Sequence, residues 1–342
     1  MIKEAISKVV SFIDLSELEM IEAMEEIMNG SASPVQIGSF ITALRMKGET
    51  VEEITGAARV MRQKAATVDI KDRPEILVDT CGTGGDACGT FNVSTAAAFV
   101  VAGAGVAVAK HGNRSVSSQC GSADVLEALG VSLNLKTEQI GQCIAKTGIG
   151  FMFAPAMHPA MKHAIGPRRE LAIRTIFNVL GPLTNPAGAN VQVMGVYDVS
   201  LTEKIAVVLG RLGAMRALVV CGEGNMDELT VTGKSTISDY VDGKVTTYGI
   251  RPEDVGLRRA TLAEIQGGKT ADDAASHIRS ILRGETGPCR DMVVFNAGAA
   301  LFAAGKSRDL VSGVKLAAQV IDSGQALAKL DAMIAFSNEA GE

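Results

Sequence analysis

The stretch Asp79-Thr80-Cys81-Gly82-Thr83-Gly84-Gly85-Asp86-Ala87-Cys88-Gly89-Thr90-Phe91-Asn92-Val93-Ser94-Thr95 constrains this chain more than any other. It joins a short buried strand to a helix through a loop crowded with glycine. The run Ile76-Leu77-Val78 reads as the strand and the apolar run from Ala96 to Val101 as the helix. Between them Gly82, Gly84 and Gly85 let backbone amides approach an anion where any Cβ would collide. Asn92, Ser94 or Thr95 can cap the helix, whose free N–H groups and positive dipole end draw negative charge. The competing reading is an ordinary strand-to-helix turn; so many hydroxyls and glycines in one loop favour a phosphate site. No Gly-Lys-Ser/Thr closes the loop, and the third glycine of the dinucleotide fingerprint is missing from its place. A standard P-loop NTPase or nicotinamide dehydrogenase is thereby excluded.

At 342 residues and 47% hydrophobic content, the chain can bury a substantial core in two domains or one large one. A net charge of −5, with three Tyr, ten Phe and no Trp, argues against nucleic acid as a partner. Six cysteines are scattered without a Cys-x-x-Cys pair, and the chain opens on no signal-peptide pattern, so reduced thiols and a cytoplasmic location are expected. The apolar stretch from Thr95 to Ala109 is too short for a membrane span and is broken by Gly103 and Gly105. It reads as a helix ending near Gly103 and a strand, Val106-Ala107-Val108, that delivers Lys110 to its carboxyl end.

From Met1 to about Thr67 the pattern is helical, with Ile13, Leu15, Leu18, Ile21, Met24 and Ile27 on one period and Asn29-Gly30 ending a segment. Ser33-Pro34 starts another helix. After Pro74, short β-branched runs alternate with helices: Ile76–Val78, Val106–Val108, Val191–Val196, Ala217–Val220 and Met292–Phe295. That alternation predicts an α/β fold: a small N-terminal helical domain, residues 1–72, and a large α/β domain, residues 73–342, with a mainly parallel central sheet. Lys234 to Val245, around Asp242-Gly243, predicts a hairpin insertion.

Three further segments carry chemistry. Lys110 to Asp124 follows the second strand, where ligands of open α/β sheets bind; its two cations, serines and asparagine suit a multiply phosphorylated substrate, the alternative being a solvated polar loop. Asp227 and Glu228, just past the strand ending at Val220, supply hard oxygen ligands of the kind Mg²⁺ takes alongside substrate phosphates, or else decorate the surface. In the segment Met157 to Thr175, His158 and His163 are five apart, on different helix faces, which makes a zinc pair a poor reading. Arg168, Arg169 and Arg174 can bind a carboxylate or pair with Glu170 on a solvated face, and the sequence does not choose.

GTGGD at 82–86 with NVST at 92–95, KHGNRSVSSQCGSAD at 110–124, HPAMKHAIGPRRELAIRTIFNVLGPLTNPA at 158–187 and GEGNMDELT at 222–230 together closely resemble the anthranilate phosphoribosyltransferases, over nearly the whole chain. GTGGD alone is shared with pyrimidine nucleoside phosphorylases, the enzymatic alternative; a non-catalytic nucleic-acid-binding relative of the fold is the other. Departures are Ala172 where glycine is expected and Gln119 where a basic residue is common.

The resemblance implies a homodimer whose helical domain takes in about 168–185, and the second step of tryptophan biosynthesis from chorismate. It places Gly82, Gly85, Asp86, Thr90, Asn92, Val93, Ser94 and Thr95 around phosphoribosyl pyrophosphate (PRPP), with Lys110, His111, Gly112, Asn113, Arg114, Ser115, Val116, Ser117, Ser118 and Ser122. It assigns Ser94, Asp227 and Glu228 to two Mg²⁺ ions, and Gly82, Asn113 and Arg168 to anthranilate. The implied chemistry needs no covalent residue. Pyrophosphate leaves ribose C1 as positive character builds there, and the already neutral anthranilate amine attacks the opposite face, so neutralising the leaving group and positioning the amine matter most.

Overall fold

The computed structural model describes residues 1–85, 88–114, 120–268 and 270–341. The first four helices are α1 Ile2–Val10, α2 Glu17–Met28, α3 Pro34–Lys47 and α4 Val51–Lys64. Three of them begin on the same device: Ser16, Ser33 and Thr50 accept from the third residue of the helix, whose Glu19, Gln36 or Glu53 side chain returns the bond. Glu53 is fully buried and also accepts from the Leu15 amide and pairs with Lys47, so one carboxylate ties three segments of the bundle. The expected helix start at Ser33-Pro34 and the stop at Asn29-Gly30 are where the structure has them.

Seven strands form one sheet in the order β3-β2-β1-β4-β5-β6-β7. β1 Leu77–Gly82, β2 Ala107–Gly112, β3 Ile149–Phe153, β4 Val191–Gly195 and β5 Arg216–Cys221 are parallel. β6 Ser235–Val241 and β7 Lys244–Ile250 complete one edge antiparallel. Asp242 and Gly243 both take positive φ at the hairpin tip, the backbone that Asp-Gly turns supply. The hairpin is thus an extension of the sheet rather than an insertion beside it, because β6 pairs along all of β5.

The other helices are α5 Val93–Gly103, α6 Ser122–Ala128, α7 Thr137–Thr147, α8 Ala154–Met157, α9 Lys162–Leu171, α10 Phe177–Leu180, α11 Leu201–Arg211, α12 Ala271–Leu282, α13 Pro288–Ala303, α14 Leu310–Asp322 and α15 Gln325–Glu339. The expected strand at Met292–Phe295 is a correction, since those residues lie inside α13. From Met292 to Ala303 every residue of α13 but Phe302 is buried, so its apolar run shows no helical stripe and mimics a buried strand. β3 has no counterpart among the expected strands.

Period-two alternation distributes the central strands between two cores. Val191, Val193, Leu218 and Val220 join a core with α5 and α12 to α15. Met194, Val196, Ala217, Val219 and Cys221 join a second core with α1 to α4, α11 and the segment from Ile176 to Leu183. The helical bundle therefore packs on the opposite face of the sheet from α5. Among the described residues no helix is long and apolar enough to cross a membrane.

Candidate active site

Three loops meet above the carboxyl ends of β1, β2 and β5. The first leaves β1 at Gly82 and enters α5, with Gly84, Gly85 and Gly89 at positive φ. Asn92 occupies the N-cap position, yet its side chain makes no cap bond; its Nδ2 donates to the Cys120 carbonyl, 3.1 Å away, and ties this loop to the second. Ser94 and Thr95 lie inside the first turn rather than capping it, and Thr95 is buried. The helix entrance is thereby left to outside acceptors. Glu228 Oε1 accepts from the Ser94 amide at 3.3 Å, and Asp227 Oδ2 accepts from the Gly84 amide at 2.6 Å.

Asp227 reaches the glycine loop because two glycines make room. The turn after β5 closes through a Gly222–Met226 bridge with Asn225 at positive φ, which turns Asp227 and Glu228 back over the sheet. A Cβ on Gly82 would stand 2.4 Å from Asp227 Oδ2, and one on Gly195, at the end of β4, 1.5 Å from the Asp227 carbonyl oxygen. Gly82 is therefore required by the acidic turn, a reason the sequence alone does not contain.

Lys110 leaves β2 pointing inward. It is 3% exposed, and its Nζ donates to the Thr80 carbonyl at 2.6 Å and to Ser94 Oγ at 3.4 Å. Burial pushes its pKa down, against the pull of Asp79, Cys81 and Glu228. Asp79, fully buried on β1, is raised to about 6 by burial, against the pull of Lys110, Asn185 and the His111 amide. Asn185 Nδ2 donates both to Asp79 Oδ2 and to the Ala109 carbonyl, each at 2.8 Å, while its Oδ1 accepts from the Ala187 and Ala189 amides. Asp79 and Asn185 are absent from the residues expected at the site; a charged residue inside an otherwise buried strand was the available signal for the first.

His111 and His158 meet inside the protein, Nε2 to Nε2 at 3.2 Å, and the Gly181 backbone also hydrogen-bonds the His111 ring. Two neutral imidazoles in this contact share one hydrogen bond, with the proton on one of the two Nε2 atoms. Burial lowers His111 to about 3 and His158 to about 4, which keeps both neutral near pH 7. His158 precedes α9, whereas His163 lies on α9 against Gly30.

The second loop begins with Gly112, where a Cβ would stand 2.1 Å from Ser122 Oγ. The Asn113 carbonyl accepts from Ser122 Oγ and the Ala123 amide, and the Asn113 side chain accepts from the Arg114 amide. Arg114 is exposed and pairs with Asp124 and Glu127 on α6. Asp86, Ser115, Val116, Ser117, Ser118 and Gln119 lie outside the described residues. Arg168, on α9, stacks its guanidinium over Phe177 at 5.1 Å. Ala172 holds the left-handed turn that ends α9, at φ 51°, where glycine would carry no Cβ penalty.

Two glycosyl transferase family models cover the chain, a helical bundle domain over residues 3–65 and an a/b domain over 74–327. A relative from Desulfotalea psychrophila, an anthranilate phosphoribosyltransferase, is 62% identical across 98% of this chain and 97% of its own length. The chain belongs to the anthranilate phosphoribosyltransferase family. The family member from Thermus thermophilus superposes with a TM-score of 0.92 at 45% identity, covering 98% of this chain and 99% of that one. The Saccharomyces cerevisiae member, in complex with PRPP and Mg, does so at 0.89 and 26%, covering 99% and 98%.

Proposed function

We propose that this chain transfers the phosphoribosyl group of PRPP to the amine of anthranilate, releasing pyrophosphate, as the second step of tryptophan biosynthesis from chorismate. The carrying observation is the convergence of Asp227 and Glu228 on the amides of Gly84 and Ser94, with Lys110 against Ser94 Oγ. Anion-binding amides, a buried cation and two carboxylates thus share one cleft. The donor set fits Mg²⁺: Ser94, Asp227 and Glu228 offer hard oxygens, and among the described residues no cluster of three His, Cys, Asp or Glu forms a complete cage. Such a site suits an ion that completes its shell with water and substrate phosphate. When bound, Mg²⁺ would neutralise the leaving pyrophosphate; two ions per subunit are proposed.

PRPP is assigned to Gly82, Gly85, Asp86, Thr90, Asn92, Val93, Ser94 and Thr95 on the first loop and to Lys110 through Ser118 with Ser122 on the second. Lys110 places a fixed ammonium beside Ser94, where it offsets the phosphate charge, and the amides of the first turn of α5 point to the same end. Asn113, Arg168 and Gly82 are assigned to anthranilate, with Arg168 taking the carboxylate. Its cation–π contact with Phe177 holds the guanidinium near one place before the substrate arrives, which favours its use as a carboxylate partner. No protein group is assigned as nucleophile or base. Residues 1–72, with 168–185, are proposed as the helical domain and 73–342 as the α/β domain. A cytoplasmic homodimer that engages neither nucleic acid nor membrane completes the reading.

Anthranilate fluorescence, followed in the presence of PRPP and Mg²⁺, tests the activity. Replacing Asp227 by Asn together with Glu228 by Gln should cut turnover steeply at low Mg²⁺, with partial recovery as Mg²⁺ is raised and weakened sites refill. Normal turnover of the double variant across the Mg²⁺ titration would refute the assignment.

A further inference from the structure

The exit of the glycine loop is gripped from a distant part of the chain. Thr90 forms an antiparallel bridge with Gln266, and the Gly267 amide donates to the Gly89 carbonyl at 3.0 Å. The approach is backbone to backbone: a Cβ on Gly267 would stand 2.9 Å from Phe91 Cα and 3.0 Å from its nitrogen. Phe91 is 4% exposed and stacks on His277 of α12, ring centroids 4.9 Å apart and planes 27° from parallel. The gripping segment, Thr261 to Gly268, is anchored in turn: Ile265 is fully buried and Cys289 Sγ, on α13, donates to the Glu264 carbonyl. Thr90 and Asn92, the neighbours of Phe91, are both residues assigned to PRPP above.

We propose that Gly267 and His277 are positioning residues for PRPP, holding Gly89 to Phe91 so that Thr90 and Asn92 keep register with the first turn of α5. This rests on the reading of the glycine loop as the PRPP site. A loop with three glycines at positive φ has little intrinsic preference for one shape, and the substrate would otherwise have to order it on binding. A stacked ring and a bridge to a buried segment remove that cost in advance. Neither residue need touch the substrate, so the effect falls on PRPP binding and spares anthranilate and the chemical step.

The test compares His277→Ala, His277→Phe and Gly267→Ala with the unaltered enzyme. It reads KM for each substrate, kcat at saturation, thermal midpoint, and hydrogen–deuterium exchange of the segment 88–95 without ligand. Losing the stack in His277→Ala should raise the PRPP KM about two- to tenfold, the range into which an aromatic pair converts, and speed exchange in that segment. The anthranilate KM and kcat should stay within about twofold of normal on the same grounds. His277→Phe should restore PRPP KM and exchange together, and Gly267→Ala should act in the same direction as His277→Ala, more strongly. An unchanged PRPP KM in both His277→Ala and Gly267→Ala, or a joint fall in kcat and both affinities without rescue by Phe, would overturn the proposal. Thr90→Val separates the two readings. A raised PRPP KM there beside a normal one in His277→Ala and Gly267→Ala sinks the positioning role alone, whereas a normal one in all three sinks the loop as PRPP site.

Discussion

Gly195→Ala should disable the acidic turn without substituting any proposed ligand residue. A Cβ at that position would stand 1.5 Å from the Asp227 carbonyl oxygen and 2.3 Å from its carbon, against an ordinary contact of 3.4 Å or more. Both obstructing atoms are backbone, and β4 is held between β1 and β5, so the turn rather than the strand must yield, by about 2 Å. A shift of that size breaks the 2.6 Å bond from the Gly84 amide to Asp227 Oδ2. Charge-assisted bonds contribute roughly 1.5–3 kcal/mol, so PRPP affinity at fixed Mg²⁺ should fall by about one to two decades. Overpacking itself should cost ~1–3 kcal/mol of stability. Gly141→Ala provides the comparison: its Cβ would stand 1.9 Å from the Asp69 carbonyl oxygen, an equally rigid clash, on α7 away from the three loops. Urea melts paired with PRPP and Mg²⁺ titrations read both effects. The two variants should lose similar stability, and only Gly195→Ala should lose PRPP affinity and demand more Mg²⁺. Equal PRPP and Mg²⁺ responses in the two would refute the reasoning.

Arg168→Ala should raise the anthranilate KM by about one to two decades, the worth of a charge-assisted bond to the carboxylate, and move the PRPP KM far less; a rise confined to PRPP would transfer Arg168 to the phosphate side. His158→Gln should flatten the acid limb of the stability curve. With its native pKa lowered to about 4 from 6.5, His158 stays neutral in the fold while the unfolded chain takes up a proton. The resulting destabilisation is absent above pH 6.5 and accumulates as pH falls toward 4, to roughly 3 kcal/mol. Urea melts of wild type and variant at pH 7, 6, 5 and 4 should therefore shift steadily in the variant's favour as pH drops; a difference that stays constant across the series would count against a neutral His158.

The glycine loop, the second loop and the acidic pair were legible because each is a local pattern of residue types, and strand-loop-helix order fixes which end of the sheet they share. The mostly parallel sheet was legible for the same reason. One strand assignment failed and one strand was missed because a four- or five-residue apolar run carries no period: Met292–Phe295 is a buried stretch of helix and Ile149–Phe153 a strand, and composition does not separate them. Asp79 with Asn185, 106 residues apart, His111 with His158, 47 apart, and Phe91 with His277 are brought together by strand register and helix packing, which no local window contains. The glycines fall between these cases. Gly84 and Gly85, read from sequence as room for an anion to approach the backbone, also take the positive φ that glycine holds without strain. Gly82 and Gly195 sit at the ends of neighbouring strands for another reason, that the Asp227 backbone and carboxylate occupy the space their side chains would fill. A glycine read from sequence as room for substrate can thus be room for the protein's own ligand-bearing turn. The two demands predict different mutants: a glycine that clears space for substrate, when replaced, weakens substrate binding with the turn intact, whereas Gly195→Ala moves the turn before any substrate arrives.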